Sequence, residues 1–385
     1  MRRNLPVLQP GEQLLLTHSE MACFRDCQRR WAYRYMMRRV ARRVAHALWF
    51  GTAIHLCLET YWNCRKASRA PKGDASHLQA ALAAIPQDAS EYDAVRMHVM
   101  LSAYAAMWNP VPGTVLHTEL PFNLPLLDPD SGEPHPVFRR AGKIDLVLGY
   151  GRNGAVLVEH KTTGSDASEG SDYRRRLTID EQLSHYTAAL DAMNLPVVKI
   201  VYDVLLKPDV KPLLATPEEK RVWVKPKPPK KPRVKKPKKG DVTPDVASDV
   251  VDGISAELNE VLSVAEEPRI KKGQRLENES MDAFRERLIA KWSESPEKYV
   301  FRIPVERLKS EREEWQYEVW DQAELMRFAA ENAHYPKNSR SCLNHYGAPC
   351  DYLPVCEGHA RIDDDSRYAL LEDAHPELRV ESVTA

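Results

Sequence analysis

The sequence contains no long apolar segment and no excess of charge. No run approaches the roughly 18 consecutive apolar residues of a membrane-spanning helix. The opening residues, Met-Arg-Arg-Asn-Leu-Pro, lack the apolar centre of a secretory signal peptide. Lys and Arg together number 55, as do Asp and Glu, so the net charge gives no indication of a nucleic-acid partner. We therefore expect a soluble cytoplasmic protein without membrane contact.

Cysteine is also scarce, with seven residues in a chain of 385. The number is odd, and three of the seven crowd between Cys342 and Cys356. In a long chain without an export signal, this pattern favours metal ligation over disulfide bonds. The length allows one large or two ordinary domains, and a hydrophobic content of 43% is sufficient for a real core.

The segment from Gly142 to Lys161 is typical of a β-hairpin. Both arms are rich in β-branched and large apolar residues, and a Gly/Asn turn signal separates them. Side chains alternate along a strand, so Glu159 and Lys161 share one face while His160 points the other way. Asp145 is the only carboxylate of the first arm and faces Glu159 if the register permits. Two carboxylates in an apolar sheet are costly to bury unless a divalent cation neutralises them, so a metal is implied.

The order of Asp145, a spacer of 13 residues, and then Glu159-x-Lys161 resembles the PD-(D/E)xK nuclease superfamily. The flanking residues, Gly-Lys-Ile before Asp145 and Thr-Thr after Lys161, are most similar to its RecB-like branch. That branch includes the AddB-type nuclease domain, CRISPR-associated nucleases that trim spacer precursors, and phage exonucleases. The resemblance implies an α/β, restriction-endonuclease-like fold, with a mixed sheet flanked by helices. Glu119, in a predicted strand from Val115, is similar to an acidic position of these relatives or is a surface strand acid.

Two further motifs follow the family order. Gly51-x-x-x-His55 lies on a predicted helix that runs to about residue 62, and the resemblance implies that His55 contributes to the metal site. A lone helical histidine is otherwise more often a core or surface residue. Gln182-x-x-x-Tyr186 lies on a helix predicted to start at Thr178, where the family places a motif beside the metals that contacts DNA.

The apolar spacing of this second helix predicts an inward face. Ile179, Leu183, Tyr186 and Leu190 recur at helical intervals. Tyr186 therefore fits a plain core position as well as a site position, and its spacing from Gln182 favours the site.

The resemblance also implies a catalytic scheme. Asp145, Glu159, His55 and the backbone carbonyl of His160 hold one or two Mg²⁺ or Mn²⁺ ions. Lys161 orients the attacking water and stabilises its hydroxide form. Gln182 and Tyr186 lie beside this centre.

The two ends of the chain carry a second resemblance. Thr17 and Glu20 form a capping box that predicts a helix start, and Cys27-x-Arg-Arg-Trp in that helix resembles the first ligand motif of iron-sulfur RecB-like nucleases. The implied ligands of a 4Fe-4S cluster are Cys27, Cys342, Cys350 and Cys356, which would join the N- and C-terminal segments in a cysteine-tied extension. Many relatives have Cys-x-x-Cys where seven residues separate Cys342 from Cys350. His345 lies in that gap, so a histidine ligand or a zinc site stays open.

Composition divides the chain into five parts. The Lys/Pro-rich tract and the acidic residues that follow it cannot bury enough surface to fold alone, so we predict a disordered insertion, which is either a DNA-holding tract or a plain linker. The predicted parts are an N-terminal tail (1–14), a first nuclease part (15–208), the insertion (209–268), a second nuclease part with the cysteines (269–358) and a C-terminal tail (359–385).

The leading hypothesis is a metal-dependent DNA exonuclease of DNA repair, recombination or phage DNA processing, in a bacterial cytoplasm or a phage-infected cell. It would act on single strands or duplex ends, with a helicase or recombination protein as a partner. The alternatives are a DNA-binding recombination scaffold without catalysis and a zinc-binding interaction protein.

Overall fold

The computed structural model describes residues 6–67, 75–108, 113–152, 154–224, 269–343 and 349–379. The predicted Lys/Pro-rich tract and His345 lie outside these ranges. The strands are β1 (Leu14–Leu16), β2 (Arg39–Ala41), β3 (Val115–Leu127), β4 (Pro134–Tyr150), β5 (Gly154–Thr163), β6 (Val197–Leu206), β7 (Trp223–Val224), β8 (Arg269–Ile270), β9 (Val300–Val305) and β10 (Tyr368–Leu370).

Helices flank these strands along the chain. They are α1 (His18–Asp26), α2 (Gln28–Trp31), which continues as a π-helical turn over Ala32–Met36, α3 (His46–Ala67), α4 (Ser76–Ala83), α5 (Glu91–Met107), α6 (Asp172–Thr178), α7 (Glu181–Ala192), α8 (Met281–Ser293), α9 (Lys309–Glu331) and α10 (Leu353–Glu357). No helix among the described residues combines the length and apolarity that a membrane crossing requires.

Two compact units are present. One comprises residues 1–209 and 287–385, and the other comprises residues 210–286. In the second unit, β7 and β8 form a two-stranded antiparallel ribbon.

The first unit is built on a mixed six-stranded sheet. Its strand order is β1-β4-β5-β6-β9, and β3 also pairs with β4. The pairs β3–β4, β4–β5 and β6–β9 are antiparallel, whereas β1–β4 and β5–β6 are parallel. The predicted β4–β5 hairpin and the mixed α/β fold are therefore confirmed, and they are consistent with a restriction-endonuclease-like fold.

Helix α7 packs on this sheet through an apolar cluster. Its residues come from β3 to β6, from β9, from α6 and from the inward face of α7. Its fully buried members include Ile144, Val147, Leu157, Leu183, Ala189, Leu190, Tyr202 and Val204. A second cluster joins α1 and α2 to α9, and among its buried members are Met21, Phe24, Trp31, Val319, Ala323 and Met326.

The start of α7 differs from the prediction. Asp180 caps the helix by accepting a hydrogen bond from the Gln182 N–H, so α7 begins at Glu181. Thr178 instead ends α6, and Ile179 lies in the turn between the two helices with 78% of its surface exposed. The predicted inward position of Ile179 is wrong because the apolar periodicity was continued past the N-cap, where the helical geometry stops.

The first and last parts of the chain meet in a region that we call the terminal joint, formed by residues 17–41, 335–343 and 349–379. Strand β2 pairs with β10, within the predicted C-terminal tail. Thr17 caps α1 as predicted, accepting a hydrogen bond from the Glu20 N–H at 3.2 Å. The Glu20 side chain is directed into the joint, where it accepts a hydrogen bond from Trp31 Nε1 at 2.8 Å and lies 3.0 Å from His375 Nε2.

Candidate active site

The ladder between β4 and β5 brings Asp145 and Glu159 to its end. Leu146 pairs with Val158, and this is the last pair of the ladder before the strands separate. Asp145 and Glu159 are the next positions on their strands and are both buried. The hairpin therefore places two carboxylates at the point where its strands diverge.

Asp145 is held by two histidines. Its Oδ2 accepts a hydrogen bond from the His160 backbone N–H at 2.8 Å, and its Oδ1 lies 3.6 Å from His55 Nδ1. Burial alone would raise the pKa of Asp145, but the His55 charge and the His160 N–H hold it well below its usual value. Burial likewise opposes protonation of His55, yet the Asp145 carboxylate raises the His55 pKa to about 9. The two groups therefore form a partly buried ion pair.

Glu119 joins His55 and Asp145 from β3. Its backbone has φ 45°, a left-handed conformation that is uncommon for residues other than glycine and is retained where the surrounding structure stabilises it. The Glu119 Oε2 lies 2.6 Å from the Nζ of Lys143. Ligand atoms of His55, Glu119 and Asp145 all lie within 4.8 Å of one another. This group is the one candidate metal centre among the described residues.

A second chain of contacts begins at Glu159. Lys161 Nζ donates to Glu159 Oε1 at 3.0 Å and to Gln182 Oε1 at 2.6 Å, and Gln182 Nε2 donates to the Tyr186 hydroxyl at 3.0 Å. The Lys161 ammonium also lies over the ring of Tyr202, 5.6 Å from its centroid. Four predicted site residues from β5 and α7 are therefore joined in one line.

The Glu159 carboxyl has free hydrogen-bonding capacity. Its buried Oε2 has no partner among the described residues. Burial and the nearby Asp145 charge raise the pKa of Glu159 to about 8 despite the opposing Lys161 ammonium. An unpartnered buried carboxylate oxygen beside a second carboxylate is costly unless a cation approaches.

The His160 side chain lies on the opposite face of β5, as predicted. Its Nε2 lies 3.2 Å from the hydroxyl of Tyr104, which donates to Asp203 Oδ2 at 2.9 Å. The same hydroxyl accepts from Trp62 Nε1 at 3.0 Å, and Arg302 Nη2 donates to Asp203 at 3.2 Å. These contacts fix the residue whose backbone N–H holds Asp145.

The donor set is suited to a hard divalent cation. Glu119 and Asp145 offer carboxylate oxygens, which Mg²⁺ and Mn²⁺ prefer, and His55 offers an imidazole nitrogen. The ligands predicted from the sequence are His55, Asp145, Glu159 and the backbone carbonyl of His160. The structure places Glu159 beside Lys161 and adds Glu119, whose only sequence signal was its acidic position in β3.

The predicted cluster cysteines lie in the terminal joint. Cys27 Sγ accepts a hydrogen bond from the Asn338 N–H at 3.5 Å, and the Cys342 thiol donates to the Asn338 carbonyl at 3.6 Å. Cys350 and Cys356 pack against one small aromatic cluster. The seven cysteines do not form a single group within the described ranges, so the iron-sulfur assignment is not confirmed.

Comparison with known proteins identifies the family. A model of the PD-(D/E)XK nuclease superfamily matches residues 15–357, most of the chain. The chain belongs to the PD-(D/E)XK nuclease superfamily. No curated protein matches the sequence.

Solved structures add little to this assignment. A chain described as "Crystal structure of SSO0001" shares 10% identity and a TM-score of 0.22, with 53% of this chain and 66% of that chain covered. The chain thus spans slightly less than two thirds of that structure.

Superfamily membership indicates the chemistry. PD-(D/E)XK nucleases hydrolyse phosphodiester bonds with Mg²⁺ or Mn²⁺, and DNA is the substrate that the superfamily implies. Asp145 and Glu159-x-Lys161 have the order of an acid followed by an acid-x-lysine motif, as the sequence predicts.

Proposed function

We propose that this PD-(D/E)XK nuclease is a DNA exonuclease, with His55, Glu119, Asp145, Glu159 and Lys161 as its catalytic centre. The observation that carries the proposal is the convergence of these residues from three strands and one helix. A bound Mg²⁺ or Mn²⁺ ion would neutralise phosphate charge and lower the pKa of an attacking water.

The protein groups divide the work around that chemistry. His55, Glu119 and Asp145 present the ligand atoms. The unpartnered Oε2 of Glu159, on β5, is a further candidate ligand atom. The backbone carbonyl of His160 is also proposed as a ligand. It belongs to the same residue whose N–H donates a hydrogen bond to Asp145.

Lys161 positions the nucleophile in this proposal. Glu159 and Gln182 fix its ammonium from two sides, and the Glu159 carboxylate keeps the pKa of Lys161 above its usual value although burial opposes this. A permanently charged, oriented ammonium stabilises the hydroxide that attacks phosphorus. Gln182 holds Lys161, and the Tyr186 hydroxyl accepts a hydrogen bond from Gln182, so Tyr186 would act from behind Gln182.

The finer assignment is to the iron-sulfur, RecB-like branch, in DNA repair, recombination or phage DNA processing with a helicase or recombination partner. Cys27, Cys342, Cys350 and Cys356 would hold a 4Fe-4S cluster. The support is that Asn338 bridges the first two cysteines and that the Cys350 N–H donates to the Cys342 carbonyl at 2.7 Å. Four cysteine thiolates are the ligands that a 4Fe-4S cluster would take.

A digestion series tests the proposal. Linear single and double strands labelled at the 5′ or the 3′ end, and a closed circular DNA, are incubated with Mg²⁺, with Mn²⁺ and with EDTA. We expect metal-dependent release of short products from linear DNA and an intact circle. Asp145→Asn should remove activity, whereas Asp172→Asn, an exposed acid on α6, should not. Cleavage by Asp145→Asn at the wild-type rate would refute the assigned centre.

A further inference from the structure

The turn between α6 and α7 exposes an isoleucine beside the active centre. Ile179 is 78% exposed, more than any other large apolar residue among those described. It lies three positions before Gln182, whose amide oxygen accepts a hydrogen bond from Lys161 at 2.6 Å. A single exposed apolar residue is ordinary on a surface, so its surroundings decide whether it has a function.

The turn is held rigidly. The Arg307 guanidinium donates to the carbonyl of Thr178 and, at 2.7 Å, to that of Asp180. The Asp180 carboxylate caps α7 and lies 3.5 Å from His18 Nε2. Both neighbours of Ile179 are thus fixed from outside the turn, and the exposed position of its side chain is part of the fold.

Helix α6 is anchored beside the same centre. Tyr173 is partly buried and packs against the apolar cluster of the sheet. Arg174 donates to the Ala167 carbonyl at 2.6 Å, and its guanidinium lies 4.8 Å from the ring centroid of Phe301. These contacts position the outer residues of α6 as well as the inner ones.

Two arginines occupy the outer side of α6. Arg175 and Arg176 are exposed, and Arg175 has only a loose contact of 3.6 Å with the exposed Asp172. Arg176 has no carboxylate within 4.0 Å in the described part of the chain. The arginine pair therefore offers positive charge for phosphates next to the apolar tip of Ile179.

The catalytic groups themselves are recessed. Asp145 is 9% exposed and Glu159 is 2% exposed, with Lys161 beside them. A single strand reaches such a centre more readily than an intact duplex, because its sugar-phosphate backbone is flexible and no second strand blocks the approach. Duplex ends would therefore have to open before cleavage.

We propose that Ile179 is a wedge that packs against the terminal base pair of a DNA end and opens it, while Arg175 and Arg176 hold the backbone of the strand that enters the active centre. The inference rests on the proposed nuclease function. Apolar side chains inserted beside base steps unstack them in other DNA-binding proteins. Charge complementarity with the two arginines selects DNA as the occupant of this surface.

The test uses a blunt duplex with 2-aminopurine in its terminal pair, a base whose fluorescence rises when it unstacks. Full-length wild type, Ile179→Ala and Leu325→Ala are compared in EDTA, which prevents hydrolysis. Leu325 is a matched control because it is 62% exposed on α9. We expect wild type and Leu325→Ala to raise the fluorescence at saturation, and Ile179→Ala to give less than half of that rise.

Digestion tests the role of Ile179, and salt titration of DNA binding tests the role of the two arginines. With Mg²⁺, Ile179→Ala should cleave blunt duplex about tenfold more slowly and single strands at close to the wild-type rate. The Arg175→Ala, Arg176→Ala double variant should flatten the slope of log affinity against log salt by about two. An Ile179→Ala protein that matches wild type on blunt duplex overturns the wedge and leaves the nuclease intact. A wild type that neither binds nor digests DNA overturns both.

Discussion

The active centre and the terminal joint are assembled over very different distances along the chain. Asp145, Glu159 and Lys161 lie on two consecutive strands, and Gln182 follows one helix later. In the joint, Cys27 contacts Asn338 across 311 positions, and Glu20 meets His375 across a still longer interval. Closing the short loops of the first region costs little chain entropy, whereas joining the two ends of the chain in the second region costs more.

The two regions therefore differ in whether they serve mainly activity or mainly stability. The active centre gathers buried charges that repel or leave oxygens unpartnered, an arrangement that suits metal binding and costs folding energy. In the joint, the two nitrogens of the buried His375 lie 3.0 Å from Glu20 Oε2 and 3.2 Å from Glu377 Oε1, so charges of opposite sign meet there. Changes in the joint should therefore reduce stability first, and changes in the centre should reduce activity first.

The largest effect is expected from the cysteines of the joint. Cys350→Ser should give colourless, aggregation-prone protein, because a cluster linking Cys27 to Cys342 would contribute on the order of 5 kcal/mol to stability by the loop-entropy estimate. Anaerobically purified wild type should be brown, with about four irons per chain. Iron content, visible absorbance and chemical denaturation measure this.

The control is Cys64→Ser, since Cys64 lies on α3 outside the joint. One zinc and no iron in the wild type would reject the 4Fe-4S cluster and favour a zinc site.

The next effect belongs to the active centre. Lys161→Ala should lower the rate of Mg²⁺-dependent hydrolysis by about a thousandfold, since it removes the charge that orients the nucleophile. Its melting temperature should stay near that of the wild type, because Glu159, whose pKa is already raised to about 8, takes up a proton when its partner is lost and leaves no unpaired charge. A variant that loses activity only through unfolding would contradict the division between the two regions, and circular dichroism of the same samples decides this.

The third prediction concerns the ion pair at His375. Burial opposes its protonation, but Glu20 and Glu377 raise the His375 pKa from 6.5 to about 9. Because the folded pKa lies above the unfolded one, the stabilisation is complete below about pH 6.5 and is lost as the pH rises through about 9. His375→Gln should therefore lower the free energy of unfolding by at most about 3 kcal/mol near pH 6.

Urea denaturation at several pH values measures this difference. The gap between wild type and His375→Gln should shrink steadily from about pH 6.5 to about pH 9. His359→Gln is the control, since that ring is 77% exposed. A gap that does not change with pH would exclude the proposed charge on His375.

The two regions also differ in how far the sequence predicts them. The hairpin was predictable because its strands are adjacent and a turn signal separates them, and Lys161 and Gln182 share a contact that the motif spacing anticipates. The pairing of Glu20 with His375 has no such signal. The capping-box pattern predicts that the Glu20 side chain returns to Thr17, but tertiary contacts with Trp31 and His375 take its place.

Local sequence patterns gave wrong or weak predictions where residues distant in the sequence determine the position of a side chain. The apolar spacing placed Ile179 in the core, although Arg307 fixes the turn that exposes it. Glu119 gave only a weak signal, because its role depends on a left-handed backbone and on His55 from another element. A single sequence carries neither the backbone conformation nor the contact.

The smallest effect is expected when the same substitution, Tyr→Phe, is made in both regions. The Tyr104 hydroxyl behind the active centre has three partners, among them the fully buried Asp203, whose Oδ1 has no hydrogen bond in the described structure. The buried Tyr33 hydroxyl of the joint has no partner there either. Tyr104→Phe should therefore lower the free energy of unfolding by about 2 kcal/mol because it leaves buried polar groups less satisfied.

Tyr33→Phe removes a hydroxyl that satisfies nothing, so its stability should stay within about 0.5 kcal/mol of the wild type. Tyr104→Phe should also reduce the hydrolysis rate by less than about tenfold, since the loosened His160 ring shares its residue with the N–H that holds Asp145. Denaturation and initial rates on the same preparations measure both quantities. Equal losses of stability in the two variants would show that hydrogen bonding behind the centre is not what distinguishes the regions, and that ring packing alone sets the cost of either change.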